Sequence, residues 1–138
     1  MTGVYQHSID AKGRLAIPAR LRDELGESFY ITLSTEKCLS AYSNDSWNEL
    51  MEKIKALPRL SQKKMRPLFS HAAKCELDSQ GRILLPQALR DFANLSKNVT
   101  IVGAGELVEI WDCDTWTEVD EAETTPEYIE AIFRELEV

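Results

Sequence analysis

The sequence predicts an α+β fold in which two tandem copies of one small unit share a core and carry peripheral helices. The leading observation is an internal repeat. Residues 7–23, HSIDAKGRLAIPARLRD, align without gaps on residues 75–91, CELDSQGRILLPQALRD, with seven identities in 17 positions. The echo continues through YITL (30–33) against TIV (100–102), CLSAY (38–42) against LVEIW (107–111), and Asp45 with Trp47 against Asp114 with Trp116. Self-similarity of this kind marks duplicated supersecondary units. The expected division is a first repeat over 5–58, a helical insert over 59–73, a second repeat over 74–118 and an acidic amphipathic helix over 119–138.

Each unit reads as strand, tight turn, strand, short helix, strand, strand, helix. In the first, the turn Asp10-Ala11-Lys12-Gly13 separates Val4–Ile9 from Arg14–Ile17, and a glycine there takes positive φ without steric cost. Pro18 suits the first turn of a helix over ARLRDEL, which Gly26 stops. Leu21 and Leu25 supply its apolar face. Pro86, Leu89, Phe92 or Ala93, and Asn94 repeat the arrangement. FYITLS and CLSAYS read as closing strands, with GAGE (103–106) as the matching turn of the second unit.

Asn44 or Asp45 is placed to cap a helix with Trp47, Leu50, Met51, Ile54 and Leu57 on one face, ending at Pro58. The insert keeps helical spacing through Met65, Leu68, Phe69 and Ala72, with Pro67 as a kink or first turn. Pro126 opens a last helix whose stripe of Ile129, Ile132, Phe133 and Leu136 predicts core or subunit interface rather than a ligand site.

A net charge of −7 argues at first sight against nucleic acid. Its distribution reverses that impression: residues 1–90 hold 14 Lys and Arg against 10 Asp and Glu, and residues 91–138 hold 2 against 13. Such a split is compatible with a basic face for a polyanion and an acidic face turned elsewhere. The amino terminus has no charged stretch followed by an apolar run, and no segment approaches a membrane span, so a cytoplasmic protein is expected. Cys38, Cys75 and Cys113 are odd in number and lack C-x-x-C spacing, reading as reduced, packed thiols without zinc.

The most specific signal is the D-x-x-G-R turn at Asp10–Arg14 and again at Asp78–Arg82. Asp10, Gly13, Asp78 and Gly81 are expected to build the turns. Arg14 and Arg82 are expected to contact DNA, because the planar guanidinium grips phosphate oxygens or guanine O6 and N7 bidentately. Lys12, Arg20, Arg22 and Arg90 are basic neighbours. Where the first copy has Lys12 and Arg20 the second has Gln80 and Ala88, so the first hairpin is expected to give more phosphate affinity, with Gln80 a candidate reader of adenine.

DAKGRLAIPARLRDEL and DSQGRILLPQALRDFA, each followed by a strand pair and a Trp-bearing helix, resemble the two repeats of the MraZ family of bacterial transcriptional regulators over nearly the whole chain. The resemblance implies an AbrB-like swapped-hairpin fold, with both hairpins of one pseudo-symmetric β-barrel supplied by a single chain. It further implies a ring-shaped homo-oligomer acting chiefly as a repressor at repeated boxes in the promoter of the division and cell-wall gene cluster. By position, Arg14 and Arg82 match the motif arginines. Duplex DNA and further copies of the chain are the expected partners, with no cofactor.

Two other classes of protein fit the sequence less well. An enzyme has little to work with, since His7 and His71 are isolated and neither a Gly-rich phosphate loop nor G-x-S-x-G occurs. An antitoxin-like subunit would use the acidic tail to wrap a basic partner. Against it, a complete second repeat stands where a separate binding segment is usual, and residues 114–138 are too amphipathic for a disordered binder.

Overall fold

The computed structural model describes residues 1–138. Its elements run β1 (Val4–Ser8), β2 (Arg14–Ala16), α1 (Ala19–Leu25), β3 (Ser28–Leu33), β4 (Leu39–Tyr42), α2 (Asn44–Lys55), α3 (Arg59–Lys64), α4 (Arg66–Ser70), β5 (Ala73–Glu76), β6 (Arg82–Leu84), α5 (Gln87–Phe92), β7 (Asn98–Gly103), β8 (Val108–Asp112), α6 (Cys113–Glu123) and α7 (Pro126–Glu135). Six strands form one antiparallel sheet in the order β1-β7-β8-β4-β3-β5, and β2 pairs with β6 in a separate two-stranded ribbon.

Under the sequence repeat, that order is a palindrome. β1, from the first copy, pairs with β7 of the second, and β5 of the second pairs with β3 of the first. At the centre Ser40 faces Glu109, its own repeat equivalent, and in the ribbon Leu15 faces Ile83 in the same relation. One pseudo-twofold axis therefore relates the two copies.

The sheet is open rather than closed into the barrel expected from the sequence, with β1 and β5 as its two edges. The cause is local: only the bridge between Ile9 and Leu15 joins the β1 arm to the β2 arm. Beyond it the ribbon separates from the sheet and packs over it.

Alternation along the strands fixes three layers. On one face, an 18-residue cluster brings Leu15 and Ile83 of the ribbon, Leu21 and Leu25 of α1, and Leu89 of α5 onto Phe29, Ile31, Leu39, Ala41, Val99, Ile101, Val108 and Ile110. The opposite face carries helices. Trp47 of α2 stacks on Tyr30 at 4.6 Å between ring centroids and meets Tyr42 at 6.0 Å and Phe69 at 6.5 Å. Trp116 of α6 lies 5.8 Å from Trp111, beside Cys38, Val102 and Val119. Since Tyr42 and Trp111 are repeat equivalents, as are Trp47 and Trp116, both helices dock by one aromatic device.

One local detail corrects the expectation and the others narrow it. The cap of α2 is Ser43, whose Oγ accepts from the Ser46 amide at 3.2 Å, one residue before Asn44. Asp112, the repeat equivalent of Ser43, caps α6. The insert breaks at Met65 into two short helices, with Pro67 in the first turn of the second. Asn94 takes φ +51° in the place of Gly26, and Ala93 rather than Phe92 enters the core. The stripe on α7 is uncovered by this chain: Phe133 is 49% exposed and Leu136 62%.

Candidate nucleic-acid interface

The ribbon is built so that alternate residues face opposite ways. Leu15 and Ile83 point inward and are fully buried; Arg14, Ala16, Arg82 and Leu84 occupy the outer face. Arg14 lies opposite Leu84 and Ala16 opposite Arg82, which sets one arginine toward each end. The strand amides beyond the ladder continue the exchange, with Ile17 N–H donating to Gly81 O at 3.0 Å and Leu85 N–H to Gly13 O at 2.9 Å.

Each turn is organised by its aspartate. Asp10 Oδ1 accepts from the Lys12 and Arg14 amides, both at 2.9 Å, while Oδ2 accepts from Arg14 Nε at 2.7 Å. Asp78 repeats this with the Gln80 amide at 2.8 Å, the Arg82 amide at 2.9 Å and Arg82 Nε at 2.9 Å. The backbone N–H of the arginine, with the other donors, holds each carboxyl below the usual aspartate range against a smaller opposing effect of desolvation. The aspartate engages Nε, which leaves the terminal nitrogens of each arginine without a hydrogen bond inside the chain. Arg82 Nη1 also comes within 3.8 Å of Asp10 Oδ2, across the repeats.

Gly13 and Gly81 take φ +82° and +75°. Each also receives an arginine from the other copy. A Cβ on Gly13 would stand 3.0 Å from Arg90 Nη2, and one on Gly81 would collide with Arg22 Nη1. Arg90 Nε donates to Leu85 O at 3.0 Å, whereas Arg22 Nε is buried without a partner. Arg22 and Arg90 are therefore half-buried behind the turns. Lys12, Arg20 and Gln80 are exposed, and Arg14 and Arg82 are half-exposed.

Reasoning from sequence missed three things: the cross-repeat lodging of Arg22 and Arg90, the ion pair from Arg82 to Asp10, and the exposure of Leu84. The last was legible in the alternation Arg82-Ile83-Leu84, since a buried Ile83 turns Leu84 outward. Lys97 also lines the hollow beside Asp10, with Arg90 and Ser96. The acidic α6 packs on the sheet face opposite the ribbon, and α7 contacts α6. No helix is long and apolar enough to cross a membrane.

A family model described as "MraZ protein, putative antitoxin-like" matches residues 1–66 and 68–127. The chain belongs to the MraZ family. It is 48% identical over 131 residues to a protein of Heliobacterium modesticaldum named transcriptional regulator MraZ, covering 93% of this chain and 91% of that one. It is 50% identical over 117 residues to the protein of that name from Carboxydothermus hydrogenoformans, covering 83% and 82%. The solution structure of PHS018 from Pyrococcus horikoshii is matched at 15% identity with a TM-score of 0.30, over 78% of this chain and 84% of that one, too slight a likeness to bear on the fold.

Proposed function

We propose that this MraZ chain is a DNA-binding transcriptional regulator that reads duplex DNA with the outer face of the β2–β6 ribbon. The observation that carries the reading is the pair Arg14 and Arg82, set by two buttressed turns toward the ends of one ribbon. A two-stranded ribbon fits the major groove, where guanidinium groups grip guanine. The relatives' name, transcriptional regulator, supports it. Lys12 and Arg20 add phosphate contacts on the first side, and Gln80 meets a base or backbone on the second. Arg22 and Arg90 hold the turns from behind, their cationic heads adding to the local potential.

The exchanged strands support reading the hairpins as one swapped unit, composed of repeats 5–58 and 74–118 with the insert 59–73 and the tail 119–138 outside it. One unit offers few cationic contacts, so binding at physiological salt calls for several identical units on evenly spaced boxes. A ring-shaped homo-oligomer acting as a repressor on promoter repeats of the division and cell-wall gene cluster meets that need. With the acidic α6 opposite the ribbon, its repulsion of phosphate is reduced.

The test is selection of bound fragments from random and genomic DNA at physiological salt, with the wild type and with Arg14→Ala and Arg82→Ala. Enrichment of one repeated box by the wild type and its loss in both variants is the expected result. Equal enrichment by all three removes the ribbon from the interface.

A further inference from the structure

We infer that Leu84 is a base-reading residue, making apolar contact with the C5-methyl group of a thymine next to the base that Arg14 addresses. This rests on the DNA reading above and goes one step beyond it, to the chemistry of one base. Leu84 is 64% exposed on the outer face of the ribbon, at the same end as Arg14, which is its cross-strand partner. The other exposed large apolar side chains lie at the termini, on β1, or on and between helices, away from this ribbon. A single exposed leucine on a protein surface needs no explanation. This one stands directly beside Arg14 on a face whose other long side chain is Arg82, so whatever Arg14 grips also lies against Leu84.

In the major groove the apolar feature is the thymine methyl, and apolar side chains make contact with it. Directly opposed residues of an antiparallel pair have Cβ atoms about 5 Å apart. With base pairs stacked about 3.4 Å apart, Leu84 falls within roughly two base pairs of the Arg14 contact. The repeat equivalent of Leu84 is Ala16, which stands less far out of the ribbon and is only partly exposed. The methyl contact is consequently one-sided on a pseudo-symmetric ribbon.

The experiment uses a duplex enriched by the full-length chain, with each thymine replaced singly by deoxyuridine, which lacks only the methyl. At one thymine within about two base pairs of the guanine protected by Arg14, the wild type should lose about four-fold in affinity, the worth of one buried methyl. Leu84→Ala should bind the unmodified duplex more weakly by a similar factor, be indifferent to that replacement, and keep the wild-type salt slope, since no phosphate contact is lost. Leu84→Val should retain part of the sensitivity. A Leu84→Ala chain with wild-type affinity, or with undiminished sensitivity to deoxyuridine, overturns the inference while leaving the DNA reading intact. A change in assembly mass in Leu84→Ala by light scattering assigns the leucine to a subunit contact and overturns it too. If the wild type enriches no sequence, the DNA reading itself fails.

Discussion

Arg82 Nη1 lies 3.8 Å from Asp10 Oδ2, so a carboxylate from the first turn faces an arginine from the second. The same Oδ2 already accepts from Arg14 Nε at 2.7 Å, which places one negative charge between both arginines. Their like charges are thereby brought to one face at reduced mutual cost. No counterpart from Arg14 to Asp78 occurs within 4 Å, and the pseudo-symmetry is broken at the tips.

Arg14→Ala and Arg82→Ala should each weaken binding to the enriched duplex about ten-fold or more while leaving the circular dichroism spectrum and assembly mass unchanged. Lys12→Ala should instead lower the dependence of log affinity on log salt by about 0.9, the contribution of one phosphate contact. An unchanged slope removes Lys12 from that role.

Gly81→Ala should destabilise the fold by about 1–3 kcal/mol in urea denaturation, because its φ of +75° is costly for alanine and the new Cβ drives Arg22 from its seat. Gly13→Ala meets Arg90 less severely, at 3.0 Å, and should cost less. An equal loss at both positions would mean that the backbone alone, rather than the lodged arginine, sets the difference.

Acid should unfold the protein through its structural aspartates. Backbone hydrogen bonds, led by those from Arg14 and Arg82, lower the carboxyls of Asp10 and Asp78. At Asp112 burial acts upward, but donors from Ser96 and Asp114 outweigh it and the net direction is also down. A group depressed in the folded state stabilises it above the unfolded value and loses that contribution as pH falls through the folded value. Stability should therefore drop below about pH 4, the ordinary aspartate value. Asp10→Asn with Asp78→Asn should flatten this acid limb in thermal melts, and an unaltered limb would place the titration elsewhere.

Glu109 carries the opposite sign. Burial raises its carboxyl, the Trp111 indole donating at 3.1 Å counters this, and Glu36 and Glu123 push it up further. A raised carboxyl costs stability while ionised, at neutral pH, and the cost fades as pH falls through the folded and then the ordinary value of 4.5. Glu109→Gln should raise Tm at pH 7, keep the indole hydrogen bond, and match the wild type near pH 4. A variant that melts lower at pH 7 would show that the charge is compensated.

Much of this is legible in the sequence because the chain says most things twice. The turn at Asp10–Arg14 is ambiguous alone, and its recurrence at Asp78–Arg82 fixed the hairpins, the proline-opened helices and the Trp-bearing helices. What the repeat could not convey is how the copies interlock. Pairing of β1 with β7 and β5 with β3 is a long-range choice made by burial of alternate residues, and local patterns are the same whether strands pair within a copy or between copies. The roles of Arg22 and Arg90 were hidden for the same reason, since each serves a glycine of the other copy. Closure into a barrel failed as an expectation because a single bridge, Ile9 to Leu15, cannot carry the sheet around.

The exposed stripe on α7 gives the last prediction. Ile132 is 42% exposed, Phe133 49% and Leu136 62%, on a helix that touches the rest of the chain chiefly through α6. A helix whose apolar face meets water within its own chain contributes little to that chain's stability, so removing residues 126–138 should leave the urea midpoint nearly unchanged. The same face is the natural place for another copy to bury area, and its loss should lower the assembly mass in light scattering. If the ring supplies avidity, the truncated chain should also lose affinity for a duplex with several boxes far more than for one with a single box. Equal losses on both duplexes with an unaltered mass would detach α7 from assembly and leave it as a face for a different partner.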